Sequence, residues 1–168
     1  MDSIKDALVD GRSIKVLPII DEFTRKCFRF EVDTSITGAR VVRTLDEIAQ
    51  TEGVLPEIII VDNGPEFIGK ALDAWAYKRG IKLSFINPGK PVENAYIESF
   101  NGKFRDECLN ENWFMSMHNA RTIIEEWRQD YNNERPHSSL GNLTAEEFIR
   151  KLTDAEVVVS ASTETSSY

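Results

Sequence analysis

Apolar and polar residues alternate along Cys27-Phe28-Arg29-Phe30-Glu31-Val32. The alternation predicts a strand with Phe28, Phe30 and Val32 on one face and Cys27, Arg29 and Glu31 on the other. Residues 13–20 predict an earlier strand, joined to it by a hairpin connection over 21–25. Pro18 has no N–H to give a ladder, so an edge, a bulge or a local defect is expected there. Over 38–50 the apolar spacing lengthens to that of a helix, with Val41, Leu45 and Ile48 inward and Gly53 as the stop. The apolar run over 57–61 reads as a buried strand. A helix over about 66–79, stopped by Gly80, and a short strand over 82–85 follow it. Strand and helix in alternation predict parallel pairing.

Residues 87–91 are loop chemistry, 92–108 predict a helix, and a longer one is expected over 119–132. Thr144 followed by Glu147 is a capping box for a last helix through Leu152. From Thr153 on, Ser, Thr and Val without a period predict a disordered tail, leaving 1–152 as one domain. Trp75, Tyr77, Trp113, Phe114 and Trp127 are expected in the core, and His118 as a cap or surface residue.

The chain's 168 residues suffice to bury about 70% of the unfolded surface in one domain. No apolar run approaches the roughly 18 residues of a membrane span. Cys27 and Cys108 lack metal or redox spacing, so both are expected to be packing residues in a reducing cytoplasm. The net charge of −8 argues against a free-standing DNA binder, because phosphate neutralisation supplies most of such affinity.

The candidate chemistry lies in carboxylates. Asp62 ends the buried run, and a carboxylate there leaves the apolar layer at the strand's carboxyl edge, where open α/β sheets keep their ligand crevice. Glu98 follows after 35 intervening residues, on a predicted helix that can swing over the same edge. Two such carboxylates, with a third from elsewhere, suit a pair of Mg²⁺ ions. Asn94, Glu98, Asn101 and Arg105 recur at i, i+4, i+7 and i+11 and share one helix face; Lys103 lies off it, within reach of a groove. Such side chains can hold a DNA backbone.

Asp62-Asn63-Gly64-Pro65-Glu66-Phe67, Asn87-Pro88-Gly89-Lys90-Pro91 and Glu98-Ser99-Phe100-Asn101-Gly102 resemble the catalytic core of retroviral-integrase-like transposases, above all those of two-reading-frame bacterial insertion sequences. Asp21 to Arg25, Arg105-Asp106-Glu107-Cys108-Leu109-Asn110, Tyr131-Asn132 and Arg135-Pro136-His137 fit the same group. The resemblance implies a ribonuclease-H-like α/β fold. Its five-stranded mixed sheet would be flanked by helices, with a truncated first strand lying beside the one that ends at Asp62. It implies a polynucleotidyl transferase acting on DNA element ends and target. Asp2, Asp62 and Glu98 would hold two Mg²⁺ or Mn²⁺ ions, with Asp6 the alternative to Asp2. Asn94, Asn101, Lys103, Arg105 and Lys90 would meet DNA. A homo-oligomer and a separate or lost helix-turn-helix module are the implied partners. Val61 and Ala145 depart from the pattern, which usually has a small polar residue and a proline there. Two other readings remain: a folded but inactive remnant, and a ribonuclease-H-like nuclease that uses only water.

Overall fold

The computed structural model describes residues 1–86 and 95–164, without the side chains of 157–164. Strand β2 (Ser13–Ile20) is the axis of the molecule. It pairs antiparallel with β1 (Ile4–Ala7) on one side and β3 (Cys27–Asp33) on the other. Its alternation divides two cores. Ile14 and Val16 face a layer made by α3 (Ala95–Phe104) and α4 (Met117–Asn133), whereas Leu17 and Ile19 face α1 (Gly38–Glu52) and α2 (Lys70–Arg79). Strand β4 (Ile58–Val61) pairs parallel with β5 (Lys82–Phe85), as the strand–helix alternation requires.

The sheet departs from expectation. The strands form a three-stranded sheet, β1-β2-β3, and a two-stranded sheet, β4-β5, instead of a single five-stranded one. Among the described residues their backbones are hydrogen-bonded at Met1, whose amine donates to Ile60 O and whose carbonyl accepts from Asp62 N at 3.2 Å. That is the bonding of one rung of a parallel ladder, and one rung is too short to merge two sheets.

Phe28 is also displaced from its expected face. The β2–β3 register shifts between Ile19 and Ile20, which pair with Arg29 and Cys27. The extra residue turns Phe28 toward the α1/α2 core and sends Cys27 to the other with Phe30 and Val32. Pro18 is buried one residue before this irregularity, beyond the last β1–β2 rung at Val16, where its missing N–H disturbs least.

Thr37 caps α1 by accepting from Arg40 N at 3.3 Å, and Gly53 ends it at φ 70°. Helix α2 begins at Lys70, later than expected, because Gly64 O accepts from Phe67 N and Ile68 N in a separate turn. Helix α3 passes into a π-turn over Arg105–Leu109. The capping box forms: Glu147 N donates to Thr144 Oγ1 at 3.2 Å and Thr144 N to Glu147 Oε2 at 2.8 Å. Helix α5 (Ala145–Glu164) then continues past Leu152, through residues expected to fray.

The α3/α4 side is an aromatic stack. Phe104 lies 4.4 Å from Phe30 and 5.0 Å from Trp127, centroid to centroid. Asn132, buried at the end of α4, takes Cys27 N and gives to Cys27 O, both at 2.9 Å, so a side-chain amide substitutes for a neighbouring strand. Two expected core aromatics are outside: Tyr77 is 90% and Trp113 83% exposed. Tyr77 follows Trp75 and Ala76, which take the inner face of α2. Both thiols are buried, and burial pushes Cys108 up to about 12, so both are packing groups. Among the described residues no helix is long and apolar enough to cross a membrane.

Candidate active site

Asp62 stands at the carboxyl end of β4, just past the wholly buried Val61. Its Oδ1 accepts from Gly64 N at 3.0 Å, and Asn63 Nδ2 reaches across to Ile86 O at 3.0 Å, tying the turn to the end of β5. Gly64 is required by space. A Cβ there would stand 3.0 Å from both Asp62 Oδ1 and Glu66 Oε2.

Asp2 leads into β1 and faces Asp62 across the rung that joins the sheets. Burial pushes the Asp2 carboxyl up to about 6, and the charge and hydrogen bond of Asp62 add to this; the Met1 amine and Asn101 oppose it. A carboxyl that keeps its proton into the mildly acidic range is what two converging carboxylates produce before a cation arrives. Asn101 Nδ2 donates to Asp2 Oδ2 at 3.1 Å, while Asn101 Oδ1 is buried without a hydrogen-bond partner. Asp6, within β1, accepts from its neighbour Ala7 N at 2.7 Å.

Glu98 is one helical turn before Asn101, so the same helix that touches Asp2 carries it. Its side chain is on the exposed side of α3, whose inner face is Ile97, Phe100 and Phe104. Among the described residues no three His, Cys, Asp or Glu side chains are gathered closely enough to hold a metal. The fold thus assembles Asp2, Asp62 and Asn101, with Glu98 exposed one turn before Asn101 on α3. An all-oxygen set with an orphaned amide oxygen suits a hard cation such as Mg²⁺ or Mn²⁺.

Lys103 is exposed, and Arg105 Nη2 donates to Lys5 O at 3.2 Å, which docks the end of α3 on β1. Lys90 and Asn94, like the 87–91 motif, lie outside the described residues. His118 is an exposed residue of the first turn of α4.

Sequence reasoning missed Glu66. It is buried, and its Oε1 accepts from Ser3 Oγ at 2.8 Å and from Lys15 Nζ at 2.7 Å. Burial works to raise its pKa, but Lys15, the residue's own backbone N–H and Ser3 outweigh it and hold the carboxyl below its usual range. Glu66 therefore fixes Ser3, next to Asp2, against the turn that carries Asp62. The only signal was its place in the Asp62 motif directly before Phe67, which is fully buried. The Arg135-Pro136-His137 motif also gains a role. Arg135 forms a two-pronged pair with Glu107, Nη1 to Oε1 at 2.9 Å and Nη2 to Oε2, joining the π-turn to the chain after α4. His137 packs on Tyr131 at 5.2 Å. Burial, then Lys103, Arg135 and Arg25, hold the imidazole below its usual pKa.

A family profile described as "Integrase core domain" matches residues 1–91, and a second profile of the same description matches 79–144. The 31.7 kDa protein of insertion element IS407 from Burkholderia multivorans is 51% identical over 151 residues, 90% of this chain and 54% of that protein. The 39.2 kDa protein of insertion element IS476 from Xanthomonas euvesicatoria is 51% identical over 148 residues, 88% of this chain and 42% of that one. The chain spans about half the length of these curated relatives. Among solved structures, the catalytic core domain of BIV integrase superposes with a TM-score of 0.66 at 15% identity, covering 93% of this chain and 96% of that one. That likeness shows the fold.

Proposed function

Because the chain belongs to the integrase core domain family, we propose that it is the catalytic core of an insertion-sequence transposase, carried by residues 1–152. It would perform metal-dependent polynucleotidyl transfer on DNA. The observation that carries this reading is the convergence of Asp2 and Asp62 from two different sheets, with Asn101 of the Glu98 helix bonded to Asp2. Asp2, Asp62 and Glu98 would hold two Mg²⁺ or Mn²⁺ ions. When bound, such ions activate the attacking oxygen and stabilise the leaving one.

The chain's own residues supply position. Asn101 fixes the orientation of the Asp2 carboxylate, Gly64 N fixes Asp62 Oδ1, and the Glu66–Lys15–Ser3 group holds the two backbones in register. Lys103 and Arg105, with Lys90 and Asn94, would hold the DNA backbone so that a freed 3′-OH lies in line with the target phosphodiester. No covalent protein–DNA intermediate is needed. The net charge of −8 leaves most of the DNA grip to a separate helix-turn-helix module. Reaction on bacterial DNA places the work in the cytoplasm.

The test is a gel assay with Mn²⁺ and DNA mimicking an element end. Products longer than the substrate are expected, and Asp62→Ala or Glu98→Ala should each lower their yield by at least about 10³-fold. Activity that survives either substitution overturns the assignment. Only shortened products would instead indicate the nuclease reading. The reading as an inactive remnant has one observation in its favour, that among the described residues no three His, Cys, Asp or Glu side chains are gathered to hold a metal. It predicts no product of either length from a well-folded chain.

A further inference from the structure

Arg135-Pro136-His137 is the motif the catalytic reading leaves unused, and it closes over one flank of α3. Tyr96, Phe100 and Lys103 recur at i, i+4 and i+7 along that flank, and Glu107 follows one turn later in the π-turn. Tyr96 Oη lies 3.4 Å from Tyr131 Oη, and Phe100 packs on Tyr131 at 5.1 Å. Glu107 accepts from Trp127 Nε1 at 3.2 Å and from the Arg135 fork. Lys103 therefore projects, exposed, from among the contacts that join α3 to α4 and to the chain after it. Glu98, Asn101 and Arg105 run along the opposite flank, about 10–12 Å away across the helix.

Arg25 reaches the same place from the hairpin between β2 and β3. It holds φ 64°, in the left-handed region that an arginine rarely adopts. Its side chain is fixed at two points: the guanidinium lies 4.3 Å over the Tyr96 ring, and Nε donates to Ser139 Oγ at 3.1 Å. Among the described residues its two Nη groups make no hydrogen bond. His137 stands among these cations. Its Nε2 is buried without a hydrogen-bond partner. Burial, then Lys103, Arg135 and Arg25, act on that imidazole. Lysine and arginine carry donors and no acceptor, so with a proton on Nε2 the group lacks an acceptor at its centre. Arg135 is paired with Glu107 and also feels Asp130. Lys103 and Arg25 have no carboxylate within ion-pair distance among the described residues, on a chain of net charge −8.

We propose that Arg25, Lys103 and His137 Nε2, backed by Arg135, form a cradle for one phosphodiester of the DNA. Arg25 supplies the planar fork, Lys103 a point charge, and Nε2–H a directed hydrogen bond to the same oxyanion. The cradle lies about a helix diameter from the carboxylates, so the phosphodiester it holds is one that does not react, and the contact positions the strand. The inference deepens the reading of DNA as substrate and rests on it, while phosphate alone can probe the cradle.

The test follows the His137 Cε1–H resonance of the unaltered, metal-free chain, with the exposed His118, the other of its two histidines, as control. Inorganic phosphate and a single-stranded dodecathymidylate should each shift His137 saturably and leave His118 in place. Sodium chloride at equal ionic strength should move neither. A bound oxyanion offsets the surrounding cations, so the His137 titration midpoint should rise by about half a pH unit or more. Lys103 is exposed, so Lys103→Gln keeps the fold. It should lower the slope of log affinity for the oligonucleotide against log salt by about 0.7, and Arg25→Gln should do the same. If phosphate and oligonucleotide leave His137 unmoved, or move both histidines alike, the inference is overturned; movement by phosphate but not by the oligonucleotide overturns it too. Movement by both, with no joined product in the gel assay, supports the cradle and removes the transfer reading instead.

Discussion

The two faces of β2 are built differently. On one, α3 and α4 are locked to the sheet by Phe30, Phe104 and Trp127 and by the paired bonds of Asn132 to Cys27, and Arg135–Glu107 closes the far end. On the other, α1 and α2 cover β4 and β5 with a core of comparable depth, but that unit shares one backbone rung with the first sheet. Asp2 belongs to the first side and Asp62 to the second. The candidate site therefore sits on the seam between the two sheets, where a bound cation would act as a staple between them.

A cavity cut into each side should separate them. Phe104 and Leu72 are both wholly buried. Phe104→Ala should cost about 3–5 kcal/mol and Leu72→Ala about 2–5 kcal/mol in urea unfolding. The informative difference is in native-state amide exchange. Leu72→Ala should lower protection at Ile59 and Val61 while sparing Val16 and Val32, whereas Phe104→Ala should lower it everywhere. Uniform loss in both variants would show one cooperative body and remove the contrast.

Metal addresses the seam directly. Millimolar Mg²⁺ or Mn²⁺ should raise stability by about 1–3 kcal/mol at roughly 10 to 100 times its dissociation constant. Protection should grow most at Ile59 and Val61. Asp62→Asn should shrink that gain yet raise metal-free stability, since it relieves the pressure on Asp2. A melting temperature indifferent to both ions in the folded chain would count against a two-metal site.

The smallest effect is in pH. The folded Asp2 carboxyl is pushed up to about 6 against an ordinary 3.8. Between those values the folded chain keeps a proton that the unfolded chain has lost, so this group's contribution falls as pH rises through that window. The magnitude is on the order of 1 kcal/mol once solvent screening at the half-exposed carboxyl is counted. Asp2→Asn should flatten the decline, measured as urea midpoints on either side of the window without metal. An unchanged slope would place the coupling elsewhere.

Much of this chain was readable residue by residue. Thr144 and Glu147 announced a capping box that forms, Gly53 and Gly80 ended helices at positive φ, and the apolar run before Asp62 placed that carboxylate at a strand's carboxyl end. Each of these depends on neighbours within a turn or two, so local pattern suffices. Resemblance pointed to Asp2, which the fold brings against Asp62, and helical spacing pointed to Asn101 as a DNA contact, which the fold bonds to Asp2. Tertiary structure alone decided the rest. The partners of Glu66, Arg135 and Asn132 are Lys15 and Ser3, Glu107 and Cys27, all distant in sequence. The strand bulge that turned Phe28, and the single rung that left two sheets instead of one, arise from register between strands. Register is a property of pairs of segments in space: a one-residue slip reverses every side chain, and no single segment carries that information.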